Sequence, residues 1–419
     1  MFSSPIGILF TTVALDLIGF GMVVPLMPLY ARTFGVSPQA IAWLLASYSL
    51  MQFFFAPVWG RLSDRLGRRP VLLASMAGNV VALLAFATAQ SFGQLLASRL
   101  IAGICTANIS VASAYIADST PGHLRSRGMG LIGAAFGLGF VLGPFFAGEL
   151  SRFGLGAPPV AAAGLSLVNL ALAAVRLPES LAVSARSEQG RRSGPWAILA
   201  QRWQVARAQP RLLPLLGLIF GHVFGFAMLE MALTLMVATR LGFGALQSGR
   251  LLAFVGVVLV LIQGGGVGRL SRRFGDPKLF CHGLLALGVG LLAVPLAAQG
   301  GLGLLLVALA VVAVGQGLIA PTGSALLSRS ADAAHQGEVL GLAQSSSALA
   351  RVFGPVVAGA AYQQLGDQAP FFLGGVVVLG ASLVARHVVG SDDLGCGAPD
   401  SGSTGHKATK EGHPCRTHP

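Results

Sequence analysis

The sequence predicts an all-α membrane protein with twelve transmembrane helices in two pseudo-symmetric six-helix bundles. Three observations carry this. Only 10% of the 419 residues are charged and 54% are hydrophobic, whereas a soluble domain averages about 25% charged residues because it must cover a water-facing surface. Twelve apolar runs are each near the roughly 20 residues that cross about 30 Å of hydrocarbon. Two segments of the first half of the chain return in the second.

The runs fall at 6–29, 42–61, 71–91, 94–116, 128–150, 158–177, 213–236, 247–268, 279–298, 302–325, 338–361 and 369–389. The first is too long for a signal peptide, lacks a basic lead and contains Asp16, so it reads as a membrane helix. The expected organisation is a six-helix bundle over 1–180, a cytoplasmic linker over 181–212, a second bundle over 213–390 and a disordered cytoplasmic tail over 391–419. The linker carries Arg186, Arg191, Arg192, Arg202, Arg207 and Arg211, and the tail is rich in Gly, Ser and Pro.

The formal charge of +13 does not point to nucleic acid, because the cations form short clusters between apolar runs and no basic stripe with interleaved aromatics appears. Such clusters report topology, since Lys and Arg accumulate in cytoplasmic loops. Of the 28 Lys and Arg, a topology with both termini cytoplasmic leaves only Arg32, Arg152, Arg240 and Arg250 outside, with Arg99 and Arg351 inside helices. The expected location is a plasma membrane or bacterial inner membrane, crossed many times.

The repeats are GRLSDRLG at 60–67 with GRLSRRFG at 268–275, and GLIGAAFGLGFVLGPFFAG at 130–148 with GLAQSSSALARVFGPVVAG at 341–359. Paired six-helix halves with a site between them near the midplane are one plan of secondary transporters. Neither an enzyme nor a receptor requires the duplication. No Walker loop is present, and no cofactor is expected. Cys105 and Cys281 lie in apolar segments. The tail residues Cys396, His406, His413, Cys415 and His418 match no compact zinc spacing, so no metal site is assigned. A monomer is expected.

The loop between the second and third helices holds Gly60, Asp64, Arg65, Gly67, Arg68, Arg69 and Pro70. Gly67 can take the positive φ of a tight reversal. Asp64 and Arg68 have i,i+4 spacing, and Asp118 ends the fourth helix on the same membrane side. A loop serving only as a topology signal needs the arginines, but not the glycines, the acid or the proline.

This loop resembles the signature of the major facilitator superfamily. LDLIGFGMVVPLMPLY at 15–30 resembles the first helix of drug:proton antiporters of the tetracycline-exporter type, and SRLIAGICTANISVASAYIAD at 98–118 resembles their fourth, with Arg99 at the signature arginine. GLGFVLGPFFAG at 137–148 is similar to the antiporter motif of the fifth helix through Gly139, Gly143, Pro144 and Gly148, although Ala147 replaces a usual glycine. The resemblance implies the major facilitator fold. It also implies a cytoplasmic charge network of Asp64, Arg68 and Asp118 that latches the halves in an outward-open state, with Asp64 facing the N-terminus of the eleventh helix. In the second copy Arg272 replaces the acid and Arg329 stands at the place of Asp118, so the same network is not expected there.

Ionisable residues inside spans are costly and are functional candidates by default. Asp16 lies about ten residues, or roughly 15 Å, into its helix, near the midplane, where it either exchanges protons or packs against polar neighbours. Arg99, roughly 8 Å from the outer end, is expected to bond backbone or water rather than clamp Asp16. His222 and Glu230 share one face of the seventh helix with Phe226 between them. Arg351 is either the ion partner of Glu230 or leaves it as a second proton site. Tetracycline exporters have further intramembrane acids in the third and ninth helices and a His in the eighth, where Ala82, Leu287 and Leu259 stand here. Coupling would then rest on Asp16, Glu230 or His222.

Polar candidates for a substrate cavity are Asn108, Gln263, Gln316, Gln344 and Arg351, each of which can instead serve as an interhelical hydrogen bond. The glycines of the fifth helix either pack helices within one bundle or line the sliding interface between bundles. The resemblance implies proton-coupled efflux of small amphipathic compounds or drugs by alternating access, a resistance-type activity. The alternatives are uptake or facilitated transport of a metabolite, or a non-transporting sensor or scaffold.

Overall fold

A computed structural model describes residues 5–106, 108–119, 125–180, 212–330 and 336–390. The linker at 181–211 and the tail at 391–419 lie outside them. The first half comprises α1 (Pro5–Val23), α2 (Met27–Arg32), α3 (Pro38–Leu66), α4 (Arg68–Ala87), α5 (Phe92–Cys105), α6 (Asn108–Ser119), α7 (Arg125–Leu150) and α8 (Ala157–Arg176). The second comprises α9 (Leu212–Arg240), α10 (Ala245–Leu261), α11 (Val267–Phe274), α12 (Asp276–Gln299), α13 (Leu302–Arg329), α14 (Gln336–Leu365) and α15 (Ala369–Gly390). Among the described residues, ten helical segments have the length and apolarity to cross a membrane. The split helix α5–α6 and the 30-residue α14 supply the other two predicted spans.

Helices dominate because hydrocarbon offers the backbone no hydrogen-bond partner, so each span must satisfy its own N–H and C=O groups. The turns need glycine where the chain reverses in a left-handed conformation. Gly67 (φ 109°) and Gly275 (φ 79°) do so at one end of the molecule, called the loop end below. Gly154 (φ 112°) and Gly366 (φ 98°) do so at the opposite end, called the outer end below. Ser37 caps α3 by accepting from the Ala40 amide at 3.2 Å.

Three predicted spans are interrupted, the first of them, 6–29, by a 3-10 turn at Val24–Leu26 that contains Pro25. The run 94–116 breaks at Thr106, although no proline or glycine stands there. Side chains meet the carbonyls that the break releases. Thr106 Oγ1 donates to Ala102 O at 2.6 Å, Trp59 Nε1 donates to Ile104 O at 2.5 Å, and Ser75 Oγ donates to Cys105 O. The run 247–268 contains a π-helical segment, Ile262–Gly266, which joins α10 to α11 through three successive glycines.

The halves meet along two helix pairs, α3 with α14 and α7 with α10. Their approach is closest toward the outer end. A Cβ on Gly359 of α14 would lie 3.1 Å from Pro38 O, and one on Gly148 of α7 would lie 3.2 Å from Gly249 Cα of α10. Further down, a Cβ on Gly256 would lie 3.0 Å from Val141 Cα. Glu149 accepts from Arg250 across this seam at 2.8 Å and also pairs with Arg152 at 2.8 Å. Toward the loop end, Gly60, Gly264, Gly265 and Gly268 face open space. The molecule is therefore closed at its outer end.

The glycines of α7 thus divide between the two expected roles. Gly139 and Gly143 seat α1, where a Cβ on Gly139 would lie 2.9 Å from Leu17 C and one on Gly21 would lie 3.1 Å from Gly143 Cα. Those contacts stay within the first half, and among the described glycines of α7 Gly137 and Gly148 touch the second. Pro144 lies inside α7 without ending it. Small residues are needed in both places because membrane helices gain attraction by close backbone approach.

Candidate functional site

The ionisable side chains predicted inside the spans gather at the centre, on both sides of the seam. Asp16 of α1, Tyr48 of α3, Asn79 of α4, Arg99 of α5 and Thr106 line one small pocket of the first half with Phe20, Val23, Leu83 and Ala102. Asn79 Nδ2 lies 3.5 Å from Asp16 Oδ1, and Thr106 Oγ1 lies 3.0 Å from Tyr48 OH. The α5–α6 break therefore opens directly onto the pocket, as discontinuous helices do at transporter sites.

Arg99 is 2% exposed, and its guanidinium lies 4.9 Å from the centre of the Phe86 ring. Its Nε has no hydrogen-bond partner. The Phe86 ring gives the cation a π face in this buried setting. Arg99 lines the same pocket as Asp16.

From the second half, Arg351 of α14 lies within electrostatic reach of Tyr48, Glu230 and His222. It makes no ion pair with Glu230 within 4.0 Å among the described residues. His222 is buried, with its ring near the carbonyls of Leu218 and Ile219 and no bond closed at Nδ1. Tyr48, which the sequence reading passed over, links the two clusters. A tyrosine in an apolar run gives no signal of its own.

The other cavity candidates scatter. Gln263 lies in the π segment, Gln316 has a buried Oε1 without a partner, and Gln344 is exposed on α14. Asn108 starts α6, but its side chain lies outside the described residues.

At the loop end, Arg68 is the hub of the network. Its Nη1 donates to Asp64 Oδ1 at 2.5 Å and to Ser63 Oγ at 2.7 Å, and its Nε donates to Asp118 Oδ2 at 2.9 Å. Glu179 was not anticipated. Its carboxylate accepts from the backbone amides of Arg68 at 2.8 Å and Arg69 at 3.3 Å, which caps α4 with an anion where the helix dipole is positive. Arg69 also donates to Ala174 O at 2.5 Å. Asp64 bonds within its own half, and 331–335, just before α14, lie outside the described residues. The expected facing of Asp64 toward the eleventh helix is therefore not part of this conformation's described contacts.

The second copy forms a network after all, with its polarity reversed. Asp276 stands where the repeat places Arg68, Ser271 where it places Ser63, and Arg329 where it places Asp118. Ser271 Oγ donates to Asp276, and Arg329 Nη2 donates to Asp276 Oδ2 at 2.6 Å. The side chain of Arg329 is 68% exposed and that of Asp276 8%. Arg329→Ala is therefore expected to cost about 1 kcal/mol, at the top of the range for an exposed pair. The double swap Asp276→Arg with Arg329→Asp should recover most of it. Thermal unfolding in detergent measures both, and a swap worse than either single change would deny the pairing.

Membrane-length helices in two halves that meet along two helix pairs define a multi-pass membrane protein of the transporter type. Residues 9–267 and 265–395 match the sequence profile of the Major Facilitator Superfamily, and the chain belongs to that family. It is 35% identical to the tetracycline resistance protein, class C, of Escherichia coli, over 84% of this chain and 88% of that protein. It is 34% identical to major facilitator superfamily domain-containing protein 10 of Homo sapiens, over 78% of this chain and 74% of that protein. The crystal structure of the human organic anion transporter MFSD10 (TETRAN) superposes with a TM-score of 0.70 at 28% identity, covering 91% of this chain and 98% of that one. The crystal structure of a POT family transporter in complex with thioalcohol conjugated peptide reaches a TM-score of 0.75 at 13% identity, covering 93% of this chain and 96% of that one, and speaks for the fold alone. The chain is a secondary transporter rather than an enzyme.

Proposed function

We propose that this chain exports small amphipathic compounds in exchange for protons, by alternating access about the central site. The observation that carries the reading is the pocket holding Asp16, Tyr48 and Arg99 beside the α5–α6 break, facing Arg351 and Glu230 across the seam. A carboxyl group there can take a proton from one side of the membrane and release it to the other. Arg99 and Arg351 bias that exchange by their charge. The similarity to a tetracycline resistance protein supports export.

In this reading the bundles 1–180 and 213–390 are the moving bodies, both termini are cytoplasmic and the monomer suffices. The loop end is the cytoplasmic end of a plasma membrane or bacterial inner membrane. The conformation described is then inward-open. Asp64, Arg68 and Asp118, with Gly60, Arg65, Gly67 and Arg69, form the latch that engages when the loop end closes. Glu230 and His222 are the second-half proton candidates.

A second reading, movement of an organic anion, is favoured by two observations: Arg99 keeps an unpartnered Nε, and Arg351 makes no ion pair among the described residues. One relative is described as an organic anion transporter. Purified protein in liposomes under an imposed pH gradient, offered lipophilic cations and organic anions in turn, separates the two. Proton-linked flux of cationic or neutral amphipathic compounds is the expected result. Flux of anions alone would replace the first reading by the second, and gradient-independent flux would remove proton coupling.

A further inference from the structure

We propose that the arginine face of α11 is a binding surface for acidic phospholipid headgroups. Length places α11 at the right depth. The helical segment Ala245–Phe274 has 30 residues, about 45 Å at 1.5 Å per residue, against about 30 Å of hydrocarbon. The last two turns therefore emerge into the headgroup layer, and they are α11.

The sequence of α11 divides cleanly around the helix. At about 100° per residue, Val267, Leu270, Ser271 and Phe274 fall on one side, and Arg269, Arg272 and Arg273 fall on the other. Val267 and Leu270 pack with Leu279 and Leu318 of α12 and α13, which turns the arginines outward. All three are exposed, and none has a carboxylate within ion-pair distance among the described residues. The nearby acid, Asp276, is already held by Arg329 and Ser271. Arg273 lies 5.3 Å from the ring centre of Phe274, which is itself 45% exposed.

The first copy shows what has changed. There the same face holds Arg61, Asp64 and Arg65, and Asp64 is engaged by Arg68 at 2.5 Å. With Arg272 at the position of that acid, the second copy presents three cations in just over one turn. Anionic headgroups complement them, and the bilayer supplies those groups at that depth. A phosphate free in solution offers the same chemistry from a different source.

The test titrates the purified full chain in detergent with phosphatidylglycerol or phosphatidylcholine and reads bound lipid by native mass spectrometry. The expected preference for phosphatidylglycerol should fall about fivefold per arginine lost, on the order of a hundredfold in the variant R269Q/R272Q/R273Q. The variant R272D restores the charge pattern of the first copy and should lose more than fivefold. It also carries the test should the triple variant fail to fold. An unchanged preference in either folded variant overturns the proposal. Displacement of the lipid by inorganic phosphate as readily as by short-chain phosphatidylglycerol overturns it in favour of a free-phosphate site.

Discussion

Asp16→Asn is expected to abolish pH-driven transport while leaving the chain folded. The amide keeps the size of the carboxyl group and its proximity to Asn79, whose Nδ2 lies 3.5 Å from Asp16 Oδ1. What it loses is the exchangeable proton, and the pocket of the first half then has no carboxyl group among its lining residues. Flux into liposomes under an imposed pH gradient reads the loss, and an unchanged melting transition shows that it is not a folding defect. Glu230→Gln makes the informative comparison. If coupling survives Asp16→Asn but fails in Glu230→Gln, the proton site belongs to the second half, and Asp16 is a packing group satisfied by its neighbours.

The spans and the family were legible because both are written locally. An apolar run of about 20 residues is a span wherever it sits, and the loop from Gly60 to Pro70 is contiguous. What escaped depends on partners distant in the chain. The break at Thr106 has no local signal, since it is made tolerable by Trp59 and Ser75, residues of other helices that donate to the stranded carbonyls. The reversed network failed to show for a different reason. Comparing the copies position by position registers Arg272 and Arg329 as losses, whereas Asp276 and Arg329 exchange the signs of Arg68 and Asp118 and keep the pairing. Charge complementarity is a property of pairs, so a one-position comparison misses it. Glu179 is hidden in the same way, because its targets are backbone amides that any sequence would supply.

Gly249→Val should hold the outer end open. A Cβ at Gly249 would lie 2.6 Å from both Gly148 Cα and Pro144 O, and 2.8 Å from Gly148 N. All three are backbone atoms, so no side chain can swing aside to relieve the clash. Helices α7 and α10 belong to opposite bundles, and the strain is relieved only when the bundles part there. Overpacking of this kind typically costs about 1–3 kcal/mol, which shifts a two-state equilibrium by roughly fivefold to over a hundredfold. Single cysteines placed at Val36 and Arg61, in a background without native cysteines, would report the two mouths to an impermeant maleimide. Labelling should rise at Val36 and fall at Arg61, with turnover slowed because the cycle must pass through the closed outer end. The neighbouring change Glu149→Gln separates sterics from charge. It removes the pairing with Arg250 across the same seam, but the side chains of these residues are 26% and 54% exposed, and solvent screens such a pair. Its shift should have the same direction and be clearly smaller. Equal shifts would mean that the ion pair holds the seam closed; no shift at Gly249→Val would mean that α7 and α10 need not touch there for the outer end to close.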